Sequence, residues 1–592
     1  MHLSPDQFWN YFEWLFEHFA LIQGFLLVLV LAIVGFVLGF VVALLKHGPS
    51  EGFLQVSKLI RELFVVDIPQ TSVRRVGAIA RLAVKEAIRK KVLVVVAVFV
   101  IAIMFAGWYL DPQAQYPARL YISFVLTTTN YMVILLGLFL SCFSLPNDIK
   151  SKIIYTIVTK PVRPTEIFLG RVIGFSAVGT MILLLLGVMS YLFVVRGVVH
   201  KHEAMDIAAN GRSGVTTNQQ VHSHTFTLDN SGEGYTNETK GHRHIVTKDG
   251  DKIVVGPSMG DLEARVPIYG LLRFTGRDGE ETTGMNVGYM SEYQKYIEGD
   301  SLSSAIWSFK GINASSFGSE LNYDMTISAF RTYKGDIVTP VGGVVIFRSI
   351  DGTVESERIP FKVKEFQVDQ RSISVKGLKG FRKGEPTELD FFKDIAPEGK
   401  FEVMIRCQDK SQYLGMAAAD LYFRATPMSF WWNFIKGYIS IWLQMVIVIC
   451  FGVMFSTFLS GPVAIVATIS IIVLGFFGFF VDNIVNRKVQ GGGPIEALVR
   501  MPLQSGSGTE LDLGNTILET SIRVIDQGIL ICVQTLSRAI PNFIQLGTAD
   551  FVAYGVNLFG GLLSRHLTIC AGYFLMTGII SYFFLKTREM AA

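Results

Sequence analysis

The sequence predicts an α-helical polytopic membrane protein of about seven transmembrane helices with an inserted β-rich extracytoplasmic domain, of β-sandwich type. Three observations lead to this fold class. The 592 residues are 50% hydrophobic and only 17% charged, which is too apolar for an ordinary soluble protein. Long uncharged runs recur in both terminal parts of the chain. Between them, residues 196–430 are polar and glycine-rich and contain no such run.

Charge and cysteine content narrow the function classes. The net charge is only +4, and the basic residues concentrate beside apolar runs, so they indicate membrane orientation rather than nucleic-acid binding. The five cysteines are scattered, which predicts neither a disulfide framework nor a C-x-x-C site.

Residues 1–73 are predicted to form an extra N-terminal transmembrane helix and a basic cytoplasmic linker. The uncharged run 21–45 is 25 residues long, enough to cross a hydrocarbon core of about 30 Å. No basic segment precedes this run and no small-residue cleavage site follows it, so we interpret it as a retained anchor. Residues 46–91 hold ten Lys/Arg against four acidic residues, which places them in the cytoplasm and the N-terminus outside.

Residues 74–195 contain an amphipathic helix, three predicted spans and a basic connection. The helix covers 76–91, with five apolar residues near one face: Ile79, Leu82, Ala83, Ala87 and Ile88. The spans are predicted at 92–110, 120–146 and 172–195. The connection 145–174 joins the last two spans, and its short apolar segment, prolines and basic residues predict a helix lying at the cytoplasmic membrane surface.

Residues 196–430 show short β-type segments separated by Gly, Asp and Pro turns, which favours a β-sandwich. Residues 431–592 contain three further predicted spans at 437–459, 462–481 and 567–585. The amphipathic segment 516–543 is too charged to span a membrane and is placed on the outer leaflet. An outer location for 482–566 makes seven crossings consistent with a cytoplasmic C-terminus.

Six of the ten histidines fall between positions 200 and 244 as three His-x-His pairs. Residues i and i+2 of a strand share a face, and a strand, turn and return strand bring four imidazoles together, suited to Zn, Cu or Ni: His222, His224, His242 and His244. His200 and His202 adjoin the fourth span and are assigned to the membrane interface. The alternatives to metal binding are a mobile hairpin with solvated histidines and a pH-responsive surface.

The stretch from Asp148 to Gly174 resembles the coupling region of type-2 ABC export permeases. The matching positions are Asp148, Thr156-Ile157, Pro161, Glu166-Ile167 and Gly170-Arg171. The amphipathic helix before it looks like the connecting, or elbow, helix of that family. Ile540-Pro541-Asn542-Phe543 and the ending 584–589 look like the branch associated with copper-enzyme maturation and gliding motility. Lys152 in place of the usual glycine, the extra N-terminal span and the large insert depart from the family pattern.

The resemblance implies a multi-pass permease of the bacterial cytoplasmic membrane that pairs with a second permease, as a homodimer or otherwise, and receives a separate ABC ATPase. ATP would bind only that partner, because the chain has no GxxxxGK[ST] motif. The residues expected to carry ATPase coupling are Asp148, Lys150, Lys152, Ile153, Tyr155, Ile157, Pro161, Glu166, Gly170 and Arg171.

Two other functions stay open at this point. One is a maturation or scaffold device that acts on an extracytoplasmic protein partner, for example by metal delivery, without moving a solute across the membrane. The other is a membrane-anchored enzyme, which the sequence disfavours because no Ser/His/Asp set, HExxH motif or paired carboxylates can be identified.

Overall fold

The structure is a computed structural model. It describes residues 11–17, 20–22, 24–26, 29, 48, 54, 57–89, 93–108, 110–111, 114, 116–151, 162–209, 211–229, 231–237, 239–250, 252–285, 294–314, 317, 320–331, 340–363, 368–478, 493–503, 516–538 and 540–587. The chain divides into two compact units. One comprises Leu262–Asn433 with Gly555–Asn557 and is the β-rich unit; the helical unit comprises the described residues of 11–261, 434–554 and 558–587.

The helices are numbered in chain order. They are α1 Val73–Arg89, α2 Val94–Met104, α3 Pro117–Lys150, α4 Pro164–Val198, α5 Phe430–Ser456, α6 Gly461–Phe476, α7 Pro494–Leu503, α8 Thr516–Arg538, α9 Phe543–Leu546, α10 Ala549–Ala553 and α11 Gly560–Thr587.

Four described helices are long and apolar enough to cross a membrane: α3, α4, α5 and residues 560–586 of α11. They coincide with four of the predicted spans and support membrane association. α2 and α6 are apolar but have only 11 and 16 residues, short of the about 20 that a crossing needs. Most of the predicted run 21–45 lies outside the described residues. Four candidate spans are therefore present in the described parts of the chain, and a count of seven stays a prediction.

The strands are β1 Ala204–Met205, β2 Ser213–Thr216, β3 Thr225–Leu228, β4 Glu233–Thr236, β5 Arg243–Asp249, β6 Lys252–Met259, β7 Glu263–Tyr269, β8 Leu271–Thr275, β9 Glu281–Thr282, β10 Lys295–Glu298, β11 Ser304–Phe309, β12 Glu320–Met325, β13 Ser328–Arg331, β14 Gly342–Arg348, β15 Val354–Ser356, β16 Ile359–Lys362, β17 Asp369–Ser374, β18 Lys376–Arg382, β19 Glu385–Asp390, β20 Phe401–Cys407, β21 Gln412–Met416 and β22 Leu421–Ser429.

The β-rich unit contains several sheets around one hydrophobic core. A nine-stranded sheet runs β19-β18-β15-β14-β20-β11-β8-β9, with β16 also paired to β14; a four-stranded sheet runs β17-β12-β22-β7, and a three-stranded one runs β10-β21-β13. Phe423 of the four-stranded sheet packs edge-to-face on Phe309 and Phe401 of the nine-stranded sheet, with ring centroids 4.7 and 5.3 Å apart. These aromatic contacts join the two larger sheets.

The remaining sheet belongs to the helical unit and follows α4 in the chain. Its six strands form an antiparallel meander in the order β1-β2-β3-β4-β5-β6. The sheet is held at the end of α4, where the Gln220 side-chain amide donates to the carbonyl of Gly197 at 3.2 Å. At Gly241, a Cβ atom would lie only 2.7 Å from Cδ1 of Tyr116, so glycine permits this close approach to the start of α3.

Helix α1 confirms the predicted amphipathic segment. Its buried face consists of Val76, Ile79, Ala83 and Ala87. It packs on the first turns of α4, where a Cβ added to Gly170 would lie 2.6 Å from Cβ of Ile79. Leu82 and Ile88, predicted for the same face, are 41% and 63% exposed. The apolar stripe is thus narrower than expected.

Candidate functional site

The histidines come from three short segments with the same local design. Each His-x-His pair has extended or nearly extended backbone, so its two side chains point to the same side while the intervening residue points away. All six imidazoles are buried, and the intervening residues Lys201, Ser223 and Arg243 are exposed. The pairs stand before β1, before β3 and at the start of β5. The meander therefore repeats one histidine-bearing hairpin unit three times.

Two of the pairs follow tight two-residue turns. Residues Gln219 and His222 exchange both backbone hydrogen bonds, at 3.0 and 3.1 Å, and Thr239 and His242 do the same at 3.0 and 3.2 Å. The central residues of both turns have positive φ: 47° and 62° in the first turn, 53° and 84° in the second. This is the twist that joins neighbouring antiparallel strands most readily. The turns fix where the first imidazole of each pair enters the cluster.

The Nε2 atoms of five histidines lie close to one another. Nε2 of His242 lies 3.1 Å from Nε2 of His200, 3.1 Å from that of His222 and 3.2 Å from that of His224. Nε2 of His202 lies 3.4 Å from Nε2 of His222. In the five histidines other than His222, one ligand nitrogen of each residue lies within 4.8 Å of the ligand nitrogen of every other. These distances suit several nitrogen ligands around one ion.

The rings are arranged as the ligands of an octahedron. Every imidazole lies edge-to-face against four others, with centroids 4.8–5.5 Å apart and planes inclined by 70–87°. The fifth ring stands opposite. The opposed pairs are His200 with His224, His222 with His244, and His242 with His202.

In five of the six histidines the other ring nitrogen, Nδ1, has a backbone carbonyl as acceptor. Backbone carbonyls accept at 2.6–3.2 Å from five histidines: His200 to Val198, His202 to Thr217, His222 to Gln220, His224 to Asn237 and His244 to Gly256. Nδ1 of His242 lies 3.2 Å from a carboxylate oxygen of Asp261. An Nδ1–H donor leaves Nε2 as the neutral lone-pair atom, so this outer shell selects the tautomer that binds metal through Nε2.

Burial favours the neutral form of five of these imidazoles. Burial is the main reason that the pKa of His200 and of His224 falls to about 4; the neighbouring imidazoles contribute to this lowering, and a hydrogen bond to a backbone carbonyl opposes it. The pKa of His242 falls to about 2 for the same two reasons, again with burial as the larger one. Burial likewise lowers the pKa of His222 and His244. Neutral imidazole is the form that coordinates a metal.

A metal ion suits this donor set. The six imidazoles bring their ring nitrogens together with few protons to share, and among the described residues Nε2 of His244 has no hydrogen-bond partner although it is buried. Buried acceptors without a donor are unfavourable by about 1–3 kcal/mol each. Imidazole nitrogen is a good ligand for Zn, Cu, Fe and Ni. The cluster can therefore hold a metal ion.

The sequence predicted four clustered histidines, and the structure brings these four together with two more. The hairpin brings His222, His224, His242 and His244 together as expected. His200 and His202, assigned from the sequence to the membrane interface, lie in the same cluster. The signal that would have included them is the common His-x-His spacing of all three pairs.

The predicted coupling region contains a buried ionic junction. Arg171 of α4 is 2% exposed; it contacts Asp148 and Ser144 of α3, and its guanidinium lies 2.9 Å from the carboxylate of Glu86 in α1. Ser144 donates to Glu86 at 2.6 Å. Asp148 lies in the last turn of α3, which continues past Pro146 to Lys150. Asp148 and Arg171 thus join three helices inside the protein.

Glu166 forms a second buried junction. Its carboxylate accepts from the backbone of Ser72 at 2.8 Å, from the guanidinium of Arg75 at 2.8–2.9 Å and from the backbone of Arg163 at 3.1 Å. The carboxylate therefore ties the beginning of α1 to the first turn of α4. A negative group in this position also complements the dipole of α4.

A third carboxylate, Asp67, lies at the same end of the helices. It accepts from the hydroxyl of Tyr582 at 2.8 Å and lies 3.3 Å from both Lys586 and Arg163. The sequence analysis did not single it out, because its partners are far away along the chain. A hydrophobic cluster of Ile79, Leu145, Ile167 and Leu585 packs beside these polar groups.

The structure accounts for only part of the predicted coupling set. Asp148, Lys150, Glu166, Gly170 and Arg171 lie at the adjoining ends of α3 and α4. The other predicted residues lie outside the described residues: Lys152, Ile153, Tyr155, Ile157 and Pro161.

Comparison with protein-family models, with curated proteins and with solved structures finds no match.

Proposed function

We propose that this chain is a membrane protein that binds a divalent transition-metal ion through the His-x-His pairs of its β1–β6 sheet. One observation carries the proposal: six buried imidazoles face one another, Nδ1 of five of them lies at a backbone carbonyl, and Nδ1 of His242 lies 3.2 Å from the carboxylate of Asp261. The convergence provides the inner shell of a metal site, and the acceptors provide the outer shell that orients it. Zn, Cu and Ni are the cations that the sequence pattern suggests. Fe, Co and Mn are the other divalent cations to be tested.

The test is metal analysis of the purified full chain. Protein in detergent, loaded with one divalent cation at a time and desalted, should retain about one ion per chain. Replacing His222, His224, His242 and His244 together by alanine should abolish retention. Lys201→Ala with Ser223→Ala is the matched control, because these side chains belong to the same His-x-His segments but are exposed. Equal, sub-stoichiometric metal in wild type and in the four-histidine variant would refute metal binding.

For the helical unit we propose the permease subunit of an ABC-type exporter, driven by a separate ATPase and paired with a second permease. The supporting observation is the concentration of buried ion pairs at the ends of α3 and α4, on both sides of 152–161. Arg171 and Glu166 join α1 to these ends, so a push on the intervening segment would be transmitted to whole helices as a rigid body. Proposed with it are seven crossings, an outside N-terminus, an inside C-terminus and a sandwich arrangement of the outer β-rich domain.

Coupling is tested by co-isolation from native membranes. The tagged full chain should co-purify with a protein that contains Walker motifs. Replacing Ile153, Tyr155 and Ile157 by alanine should release that ATPase, whereas Ile350→Ala should not, because Ile350 is an exposed residue of the β-rich unit. Full retention of the ATPase by the triple variant would exclude 152–161 as the contact.

A further inference from the structure

We infer that the ion at the histidine cluster is a closed, six-coordinate structural ion of a cation that prefers octahedral geometry, such as Mn(II), Fe(II), Co(II) or Ni(II). The inference rests on the metal binding proposed above. It adds three things: the number of ligands, the class of cation, and a role in holding the β1–β6 sheet together rather than in catalysis or as cargo.

The first step is the symmetry of the ligand set. The first histidines of the three pairs, His200, His222 and His242, form one triangle of neighbouring rings, and the second histidines form the other. Each first histidine stands opposite the second histidine of the next pair, and the third pair closes the cycle on the first. This is an octahedron with a three-fold axis, generated by three copies of one hairpin unit. A site built for four tetrahedral ligands would have no use for the third pair.

The second step is size. For ligands at right angles, the observed Nε2–Nε2 distances of 3.1–3.4 Å correspond to metal–nitrogen distances of about 2.2–2.4 Å, longer than the 2.0–2.1 Å of four-coordinate zinc–histidine bonds. Longer bonds are expected when six ligands share one cation. Zn(II) prefers four ligands and Cu(II) a tetragonal set, so both fit this arrangement less well than octahedral cations.

The third step is closure. Six protein nitrogens leave no coordination position for water or a substrate, whereas catalytic metal sites keep one open. His202, His224, His242 and His244 are each at most 3% exposed, so the centre is also shielded from solvent. An ion held in this way has no room to perform Lewis-acid chemistry on a bound molecule and no ready exit.

The fourth step is the need of the sheet for stabilisation beyond its hydrophobic core. Among the described residues of this sheet, the hydrophobic core consists of three buried residues, Phe226, Leu228 and Val246, with a few partly buried neighbours. So small a core supplies little stability, and small domains of this kind commonly use a metal or disulfides instead. The ligands come from three hairpin units, and His200 follows directly on α4. The ion therefore ties all three units to one another and to the end of α4.

The experiment uses Co(II), whose d–d absorption distinguishes six-coordinate from four-coordinate sites, bound to the full wild-type chain in detergent. We expect the weak bands of octahedral Co(II), unchanged by added azide. His200→Ala should open one position, so that azide alters its spectrum, and should weaken Ni(II) binding about tenfold or more. Lys201→Ala should behave as wild type. X-ray absorption of the wild-type Ni(II) form should give six nitrogen neighbours.

The outcomes separate the two proposals. Intense four-coordinate Co(II) bands, an azide response in wild type, or undiminished binding by His200→Ala would overturn the octahedral site and leave metal binding in place. Failure of wild type to bind any of the cations would remove both. The spectra of wild type decide the geometry even where His200→Ala does not fold.

Discussion

At the scale of single residues, the turn before the second His-x-His pair has an unfavourable backbone conformation at Val221. Val221 has φ 62°, a conformation that β-branched residues rarely adopt, and its side chain is 57% exposed. The corresponding residue of the next hairpin unit is Gly241, for which positive φ is unstrained. Strain of this kind is of the order of 1–3 kcal/mol. It is held in place by the hairpin hydrogen bonds and by the position that His222 must reach.

We therefore predict that Val221→Gly stabilises the β1–β6 sheet by about 1 kcal/mol, the relieved strain outweighing the greater freedom of glycine in the unfolded chain. Gly241→Ala should destabilise it, because the new methyl would meet Tyr116. Amide hydrogen exchange of peptides from β3 and β5 measures both effects in the full chain. Faster exchange in Val221→Gly would show that this turn stores no strain.

A second residue-scale prediction concerns Glu402 in the β-rich unit. Burial alone would raise its pKa, but hydrogen bonds from Arg273 and Arg348 outweigh this and lower the pKa below its usual range. Glu402→Gln should destabilise the unit by roughly 2–3 kcal/mol at pH 7. Because the folded pKa is the lower one, this contribution is complete above the unfolded value of about 4.3 and is lost as the pH falls through the folded pKa.

Hydrogen exchange of peptides from β14 and β20 in wild type and in Glu402→Gln, compared at each pH, measures this difference. The gap between the two proteins should narrow below about pH 4. The matched control is Glu398→Gln, whose carboxylate is exposed and pairs with exposed Lys400, so little change is expected. A gap that stays constant to low pH would contradict the role assigned to the ion pairs.

At the scale of elements, the junction of α1 with α4 depends on close helix approach. The backbone of Gly170 and Gly174 lies directly against Ile79, Ala80 and Ala83. A Cβ atom added to Gly170 would lie 2.6 Å from Cβ of Ile79, and one added to Gly174 would lie 2.7 Å from the carbonyl oxygen of Ala80 and from Cβ of Ala83. Helices approach this closely only where side chains are small. The approach also brings Glu86 within reach of Arg171.

We predict that Gly170→Ala lowers the thermal stability of the full chain in detergent by several degrees, because α1 must move away from α4. Gly572→Ala is the control: it lies within α11 with open space around its Cα, and alanine there should be neutral or slightly stabilising. Equal melting temperatures for Gly170→Ala and wild type would show that the two helices tolerate a wider separation.

The same elements indicate what the sequence can and cannot predict. Periodicity located α1, and uncharged length located α3, α4, α5 and α11, since both signals are local. Polar contacts between residues far apart in the sequence could not be predicted. Neither the partners of Asp67 nor the ion pair of Arg171 with Glu86 follows from spacing along the chain.

The candidate site shows the same division. Spacing in the chain predicted the two pairs that a single hairpin unites. The pair His200 and His202 joins them through contacts that span 20 or more residues: Nε2 of His200 lies 3.1 Å from that of His242, and Nε2 of His202 lies 3.4 Å from that of His222. The assignment of His200 and His202 to the membrane interface, drawn from neighbours in sequence, did not include them among the clustered histidines.

At the scale of the whole molecule, metal binding and folding of the β1–β6 sheet should be coupled. The ligands hold one another in place in the folded sheet and are scattered in the unfolded one, so the ion stabilises the folded form by mass action. At a free metal concentration 100 times the dissociation constant, this stabilisation is about 2.7 kcal/mol. The β-rich unit contains none of the six ligands and so provides an internal reference within the same chain.

We accordingly predict that removing the metal with a chelator accelerates hydrogen exchange in peptides from β1–β6, by up to about a hundredfold where exchange requires opening of the sheet. Peptides from Leu262–Asn433 should exchange at the same rate with and without metal, and Lys201→Ala should respond as wild type does. Restoring Ni(II) or Co(II) should return the protection. The four-histidine alanine variant should exchange rapidly in either condition, because it has no ion to lose; a metal-dependent change in that variant would mean that the protection arises from another site.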